Sequence, residues 1–226
     1  LSLAFDPREY PIAPLLPEAV RVLGQSGCAV LTAPTGSGKS TVLPLALLDA
    51  PWLEGRRIWM LEPRRIAAYA VAAQLAANHG DELGRTVGYR MRLERKVSSA
   101  TRLEVVTEGM LTRQLQHDPE LSGVGLVIFD EFHERSLQAD LALALTLGVR
   151  RSLRPDLKLL AMSATLECEA VAALLGGVPI LRGEGRCFPV TIRHFDRHDA
   201  RETVSEVTSL VMRAWREETG SMLVFL

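Results

Sequence analysis

The stretch Ala33-Pro34-Thr35-Gly36-Ser37-Gly38-Lys39-Ser40 follows a short apolar run, Cys28 to Thr32, and precedes a segment that reads as a helix. A buried strand, a glycine-bearing loop ending in Gly-Lys-Ser and a helix together form a phosphate cradle. Successive backbone N–H groups and the start of the helix point at one anion, and the lysine adds a compact positive charge. Glycine at 36 and 38 permits the close approach that a Cβ would block. The usual pattern opens on glycine where this chain has Ala33, so the match is to the relaxed form.

A second motif makes the first convincing. Asp130-Glu131-Phe132-His133 directly follows the apolar run Leu126 to Phe129. An acidic pair at the end of a buried strand is where a P-loop enzyme holds Mg²⁺ and the attacking water. Alone, such a pair would read as a helix N-terminal charge arrangement; the lysine loop decides for chemistry. A nucleoside triphosphate with Mg²⁺ is therefore the expected ligand. Ala33, Pro34, Thr35, Gly36, Ser37, Gly38, Lys39, Ser40 and Thr41 are expected to line the triphosphate, with Lys39 bridging the β- and γ-phosphates. Ser40 and Asp130 are the expected metal-side residues, and Glu131 is expected to orient or deprotonate the attacking water.

Around these motifs, short apolar runs alternate with helical patterns. Cys28–Thr32, Ile58–Leu61, Leu103–Val106, Leu126–Phe129 and Leu159–Met162 suit strands covered on both faces, and the helices between them suit parallel crossovers. Arg64 to Asn78 is alanine-rich and stops before Gly80. Ser136 to Arg151 places Leu137, Leu141, Ala144, Leu145 and Gly148 at helical spacing, which predicts that this stripe faces the sheet. The fold class is α/β, a mostly parallel doubly wound sheet. After Gly183-Glu184-Gly185 an alternating strand is predicted over Phe188 to Phe195. A helix follows over Glu202 to Glu217, with Val204, Val207, Leu210, Val211, Ala214 and Trp215 on one face. A further strand is predicted over Met222 to Leu226. The expected division is a first domain over 1–183 and the linker and opening of a second over 184–226.

Composition bounds the remaining classes. With 47% hydrophobic and 23% charged residues among 226, the chain is an ordinary globular one, and its net charge of −1 gives no global pull toward nucleic acid. Cys28, Cys168 and Cys187 are too scattered for a disulfide framework, and Cys187, His194 and His198 lack the paired spacing of a structural zinc site. The most apolar stretch, Leu141 to Val149, is about half the length a bilayer needs. A cytoplasmic location with no membrane contact is expected. The chain opens on Leu1 and stops inside an apolar run, so both ends read as cuts in a longer protein.

Taken in order, the motifs resemble those of the superfamily 2 helicases of the DEAH/RHA group. Asp130-Glu131-Phe132-His133-Glu134-Arg135 followed by Ser136-Leu137-Gln138-Ala139-Asp140 is most similar to the bacterial HrpB branch. The resembling stretches are Ala33–Ser40, Glu62-Pro63-Arg64-Arg65, Thr107-Glu108-Gly109, Asp130–His133 and Ser163-Ala164-Thr165. The resemblance implies a RecA-like P-loop NTPase domain, with the later residues opening a second RecA-like domain. It implies an ATP-dependent helicase acting on single-stranded nucleic acid, RNA ahead of DNA. His133 would connect the ATP site to Ser163 and Thr165 and so couple hydrolysis to movement.

For nucleic acid, Arg64 and Arg65 open a helix directly after a strand, which suits a backbone phosphate. Thr107 and Gly109 offer a hydroxyl and a backbone N–H at another strand end. Arg90 and Arg92 match the family's β-hook region, although a solvated surface charge is close to an equal reading for each. No aromatic platform is evident, so binding is expected to be largely sequence-blind. One departure from the family is Gln74, which stands where an arginine often stacks on adenine. The other is that the family's later motifs, whose arginines reach the γ-phosphate from the second RecA-like domain, lie outside the 226 residues. That domain is expected to be required for full activity. Two other classes remain open: a nucleotide-gated RNA clamp without unwinding, and a P-loop ATPase acting on protein partners.

Overall fold

The computed structural model describes residues 4, 6–164, 168–185, 189–195 and 203–225. The chain divides into two compact units, Leu1–Arg186 and Cys187–Leu226. In the first unit the strands are β1 (Cys28–Thr32), β2 (Arg57–Glu62), β3 (Val87–Met91), β4 (Glu94–Lys96), β5 (Leu103–Thr107), β6 (Val124–Phe129), β7 (Lys158–Ser163) and β8 (Ile180–Arg182). They form one sheet in the order β4-β3-β5-β2-β6-β7-β1-β8. Every neighbouring pair is parallel except the β3–β4 hairpin.

The helices are α1 (Leu16–Ser26), α2 (Leu43–Leu47), α3 (Arg65–His79), α4 (Glu108–His117), α5 (Leu137–Ser152) and α6 (Cys168–Leu174). Successive strand residues alternate between two separate cores. Leu31, Met60, Val105, Ile128 and Met162 join Leu23, Leu45, Ala68 and Leu75 on one face. Val30, Trp59, Leu61, Val127 and Phe129 join Leu111, Leu115, Ala142 and Leu143 on the other. Helices cover both faces of the sheet, so its strands bury both sides, and this is why they read as unbroken apolar runs. The polar residues that end these strands gather along one edge, where open α/β sheets bind ligands.

Three local readings change. The helix after the lysine loop begins only at Leu43 and is five residues long. Pro44 lacks an N–H, and its ring would clash with the carbonyl of residue 40, so a helix starting near Gly38 cannot run through it. Turns fill the gap, with Thr41, Val42 and Leu43 all donating N–H to the Gly38 carbonyl. The buried side of α5 is Ala139, Ala142, Leu143 and Thr146. The predicted stripe points outward: Leu137, Leu141 and Leu145 are 79%, 49% and 41% exposed, and Ala144 and Gly148 are exposed too. Both faces of α5 are apolar, so periodicity alone could not choose; Ala139, Ala142 and Leu143 are the ones that join the core on that side of the sheet. Finally, β3, β4 and β8 are strands that the apolar runs did not mark. β4 is fully exposed Glu-Arg-Lys held only by its hairpin partner.

In the second unit, α7 (Thr203–Glu217) has no buried residue. Its partners include Arg193, which pairs with Glu217 and Glu218, and Phe195, whose ring lies under the Arg213 guanidinium at 5.4 Å. The strand predicted over Phe188–Phe195 does not form over its described residues 189–195, and 221–225 form none either. A strand needs a hydrogen-bonded neighbour, and no described residue supplies one here. Phe188 and Leu226 themselves lie outside the described residues.

Candidate active site

The site is built from the ends of β1, β2, β6 and β7. Past Thr32 the chain leaves the sheet, with Ala33 N–H bonded to the Ser163 carbonyl of neighbouring β7 at 3.2 Å. Gly36 (φ +75°) and Gly38 (φ +97°) take left-handed conformations. A Cβ on Gly38 would meet Val42, Ile12 and Tyr10 at 3.0–3.1 Å, whereas one on Gly36 would meet nothing within 4 Å. Gly38 is thus required by packing as well as by its torsion, and Gly36 by its torsion alone. The Ser37 carbonyl accepts Ile12 N–H at 3.0 Å, while the buried Ser37 hydroxyl has no partner among the described residues.

Lys39 is buried, and its Nζ lies 3.1 Å from Glu131 Oε1. Asp130 is tied to β2 through its N–H to the Leu61 carbonyl at 3.1 Å, and its Oδ1 accepts the Glu131 N–H at 2.9 Å. Its Oδ2 is buried and without a partner. Burial pushes the Asp130 carboxyl upward, and its contacts with Ser40 and Glu62 pull the other way. Glu62, at the end of β2, is buried beside it, and burial together with the Asp130 carboxylate pushes it well above the usual carboxylate range. Three carboxyl groups, Glu62, Asp130 and Glu131, thus cluster here, and Lys39 pairs with the last of them. Carboxyl groups held toward their neutral forms by burial and by one another would be relieved by a cation at this place.

Glu131 itself stands at φ 48°, ψ 35°, a left-handed conformation that costs about 1–3 kcal/mol outside glycine. This turns its carboxylate back toward Lys39. Its other oxygen, Oε2, lies 3.3 Å from His133 Nδ1, and the same nitrogen lies 3.4 Å from the Ala164 N–H. One ring nitrogen cannot donate to the carboxylate and accept from the amide at once, so the tautomer of His133 decides which neighbour it holds. His133 therefore stands within reach of both Glu131 and the Ser163-Ala164 segment and holds one or the other. Ser163 is buried opposite Thr32 in the sheet. Thr165 lies outside the described residues.

The remaining predicted residues line the same sheet edge further along. Arg64 is the N-cap of α3, with Arg65 the first helical residue, and both are exposed. Arg64 Nη2 lies 2.7 Å from Glu134 Oε1. Thr107 is the N-cap of α4, and its register partner across the sheet is Glu62. Gly109 lies in the first turn of α4 and is exposed; a Cβ there would touch nothing. Glycine in a helix costs about 1 kcal/mol relative to alanine, and no packing among the described residues requires it. Arg92 is exposed in the two-residue turn of the β3–β4 hairpin. Arg90 is different. Its Nε and Arg57 Nη1 each lie 3.0 Å from the carboxylate of Glu104, which is 1% exposed. Arg90 neutralises a buried charge, so its role is structural.

Sequence reasoning passed over three tethers. Asn78, buried in α3, donates Nδ2–H to the Thr41 carbonyl at 3.0 Å and accepts from Gln74 Nε2 at 2.8 Å. Gln74 is therefore committed to steadying the turn beyond the phosphate loop. Glu134 holds Arg64, and the Ser136 hydroxyl, which also caps α5, donates to Glu108 Oε2 at 2.6 Å. Gln74 and Asn78 are four residues apart on one helix, a spacing visible in sequence. The contacts of Asn78 with Thr41, Glu134 with Arg64 and Ser136 with Glu108 have none, since the fold brings those residues together.

Comparisons with known proteins agree with this geometry. The family model described as DEAD/DEAH box helicase matches residues 16–174. The ATP-dependent RNA helicase HrpB of Escherichia coli K12 is 53% identical over 216 residues, which is 96% of this chain and 27% of that protein. Two crystal structures are also similar. One, of the Escherichia coli DEAH/RHA helicase HrpB, superposes with a TM-score of 0.85 at 51% identity, over 96% of this chain and 28% of that one. The other, of the Escherichia coli DExH-box NTPase HrpB, has a TM-score of 0.80 at 50% identity, over 100% and 28%. The chain thus spans little more than a quarter of the length of the relatives it matches. Its ordered motifs, sheet and sequence place it in the DEAD/DEAH box helicase family.

Proposed function

We propose that this chain is the first RecA-like, ATP-binding domain of a DEAH-type helicase, together with the start of its partner domain over 184–226. In this reading it binds ATP with Mg²⁺ and single-stranded RNA, and the whole protein couples ATP hydrolysis to unwinding or remodelling of RNA in the cytoplasm. The observation that carries the reading is the chain of contacts from Lys39 through Glu131 and His133 to Ala164. It joins the phosphate loop, the acidic motif and the Ser-Ala-Thr motif through side chains whose chemistry serves nucleotide hydrolysis. The HrpB relative is named an ATP-dependent RNA helicase, which supports ATP and RNA over other ligands.

The residues present fit ATP and Mg²⁺. Ser37 Oγ and Asp130 Oδ2 are buried polar atoms without partners, which is costly unless a ligand satisfies them. When bound, Mg²⁺ would neutralise charge developing on the phosphates. Ser40 and Asp130 would hold it. The Thr35–Gly38 backbone would donate N–H groups to the phosphates. Lys39 would exchange its contact with Glu131 for phosphate, which frees the Glu131 carboxylate to take a proton from the attacking water. His133, within reach of both Glu131 and the Ala164 N–H, is then a route by which nucleotide occupancy reaches Ser163. Along the rest of the edge, Arg64, Arg65 and Arg92 supply positive charge, and Thr107 and Gly109 offer close backbone approach.

The test is calorimetry of ADP·Mg on residues 1–226, with single-stranded RNA and DNA titrations on the full-length protein. Micromolar nucleotide binding that requires Mg²⁺, and ATPase stimulated by RNA more than by DNA, are expected. No nucleotide binding, or stimulation only by a protein partner, would overturn the reading.

A further inference from the structure

Glu134 stands where an acidic side chain is least expected on a nucleic-acid edge. Its carboxylate lies against Arg64, the N-cap residue of α3, whose own side chain makes no capping hydrogen bond. The Arg64 guanidinium at this helix start suits an anion, and Glu134 sets a carboxylate oxygen against it. The pair is solvent-exposed on the Arg64 side, at 68%, so it is weak and exchangeable.

The segment that carries Glu134 is short and strained at both ends. It is a single 3-10 turn, Phe132–Glu134, bracketed by Glu131 at φ 48° and Arg135 at φ 50°. Neither is glycine, and two left-handed residues so close together mark a segment held in place by its contacts. Upstream, Asp130 is bonded to β2; downstream, Ser136 is locked to both α5 and Glu108. Movement of this segment is therefore confined between two fixed posts. Within it, Glu134 N–H donates to the Glu131 carbonyl at 2.9 Å, so the carboxylate at Arg64 and the carboxylate at Lys39 are the two ends of one turn.

We propose that Glu134 is a positioning residue that occupies the phosphate place at Arg64 when nucleic acid is absent. A backbone phosphate displaces it, and the turn carries that displacement to Glu131 and His133. The inference rests on the proposed function, because it takes Arg64 as a phosphate contact and Glu131 as the water-activating group. Linkage then requires that nucleotide in the cradle alter RNA affinity by the same factor as RNA alters nucleotide affinity.

The experiment uses Glu134→Gln in the full-length protein with a single-stranded oligouridylate, titrated with and without a non-hydrolysable ATP analogue and Mg²⁺. RNA affinity should rise about two- to five-fold, the range an exposed ion pair supplies. The ratio of the two RNA affinities should move toward one, and RNA stimulation of ATPase should shrink. A surface pair without this role would leave that ratio unchanged, so an unchanged ratio overturns the proposal, as does a fall in RNA affinity. Arg64→Ala in the same titration separates the two readings. If it leaves RNA affinity intact, Arg64 is not a phosphate contact and the underlying reading fails. If it weakens RNA while Glu134→Gln changes nothing, only the role of Glu134 is lost.

Discussion

Two stretches of one sheet edge, a few strands apart, are finished in opposite ways. At the ends of β1, β2 and β6, Lys39, Glu62 and Asp130 are buried, and Lys39 pairs with Glu131. At the ends of β2 and β5 and in the β3–β4 turn, Arg64, Arg65, Gly109 and Arg92 are exposed. The first stretch is dry, over-supplied with carboxyl groups and short of hydrogen-bond partners; the second is wet and loosely paired. Low dielectric strengthens charge–charge contacts and penalises their absence, so the first stretch is suited to holding one polyanion in one geometry. High dielectric and side-chain freedom suit the second to a long, repeating backbone whose sequence is not read. The difference teaches where single substitutions should act sharply and where they should act by degrees.

The sharpest break is expected at Glu131. Glu131→Gln keeps the shape and loses the proton acceptor, so hydrolysis by the full-length protein should fall by about 10²–10⁴-fold. Nucleotide affinity should stay close to that of the parent. Single-turnover hydrolysis beside equilibrium binding measures both, and parent-like turnover would move the base elsewhere. Next is Lys39→Ala. It removes a charge-assisted contact and also leaves Glu131 without its cation, so ADP·Mg affinity should drop by roughly 10- to 100-fold. Calorimetry on residues 1–226 reads it directly.

The dry stretch was also the more legible in sequence. Gly36, Lys39, Ser40, Asp130 and Glu131 sit at spacings fixed by a loop or a strand end, and a local spacing survives in the sequence. The wet stretch is assembled across strands. Glu134 meets Arg64, and Ser136 meets Glu108, only because β2, β5 and β6 lie side by side. The same limit explains α5, where two apolar faces offered equal periodicity and the sheet chose the one with Ala139 and Ala142. It explains α2 only in part, since Pro44 was visible and its effect on a helix start is local.

The β3–β4 hairpin allows the comparison to be sharpened within three residues. Arg90→Ala removes one of two guanidinium groups from the buried Glu104 carboxylate, leaving Arg57, whose side chain is 39% exposed. Loss of about 1–3 kcal/mol of stability is expected, read by urea unfolding of residues 1–226. The salt dependence of RNA binding should not change. A stable Arg90→Ala with weakened RNA binding would return Arg90 to the nucleic-acid path.

Arg92→Ala should do the reverse, and gently. Arg92 lies exposed in the hairpin turn. Removing an exposed side chain away from caps and cores usually changes stability by less than about 0.5 kcal/mol. If the turn lies beside the RNA, the substitution deletes one phosphate contact out of several. The loss should then be the same for every sequence, because a phosphate contact carries no base information. The slope of log affinity against log salt should become shallower by up to about one unit, as one fewer counterion is released. Filter binding of the full-length protein to oligouridylate and oligoadenylate across a salt series measures both quantities. A loss confined to one of the two would mean that the hairpin reads bases. No loss and an unchanged slope would leave Arg92 a solvated charge and place the hairpin away from the RNA.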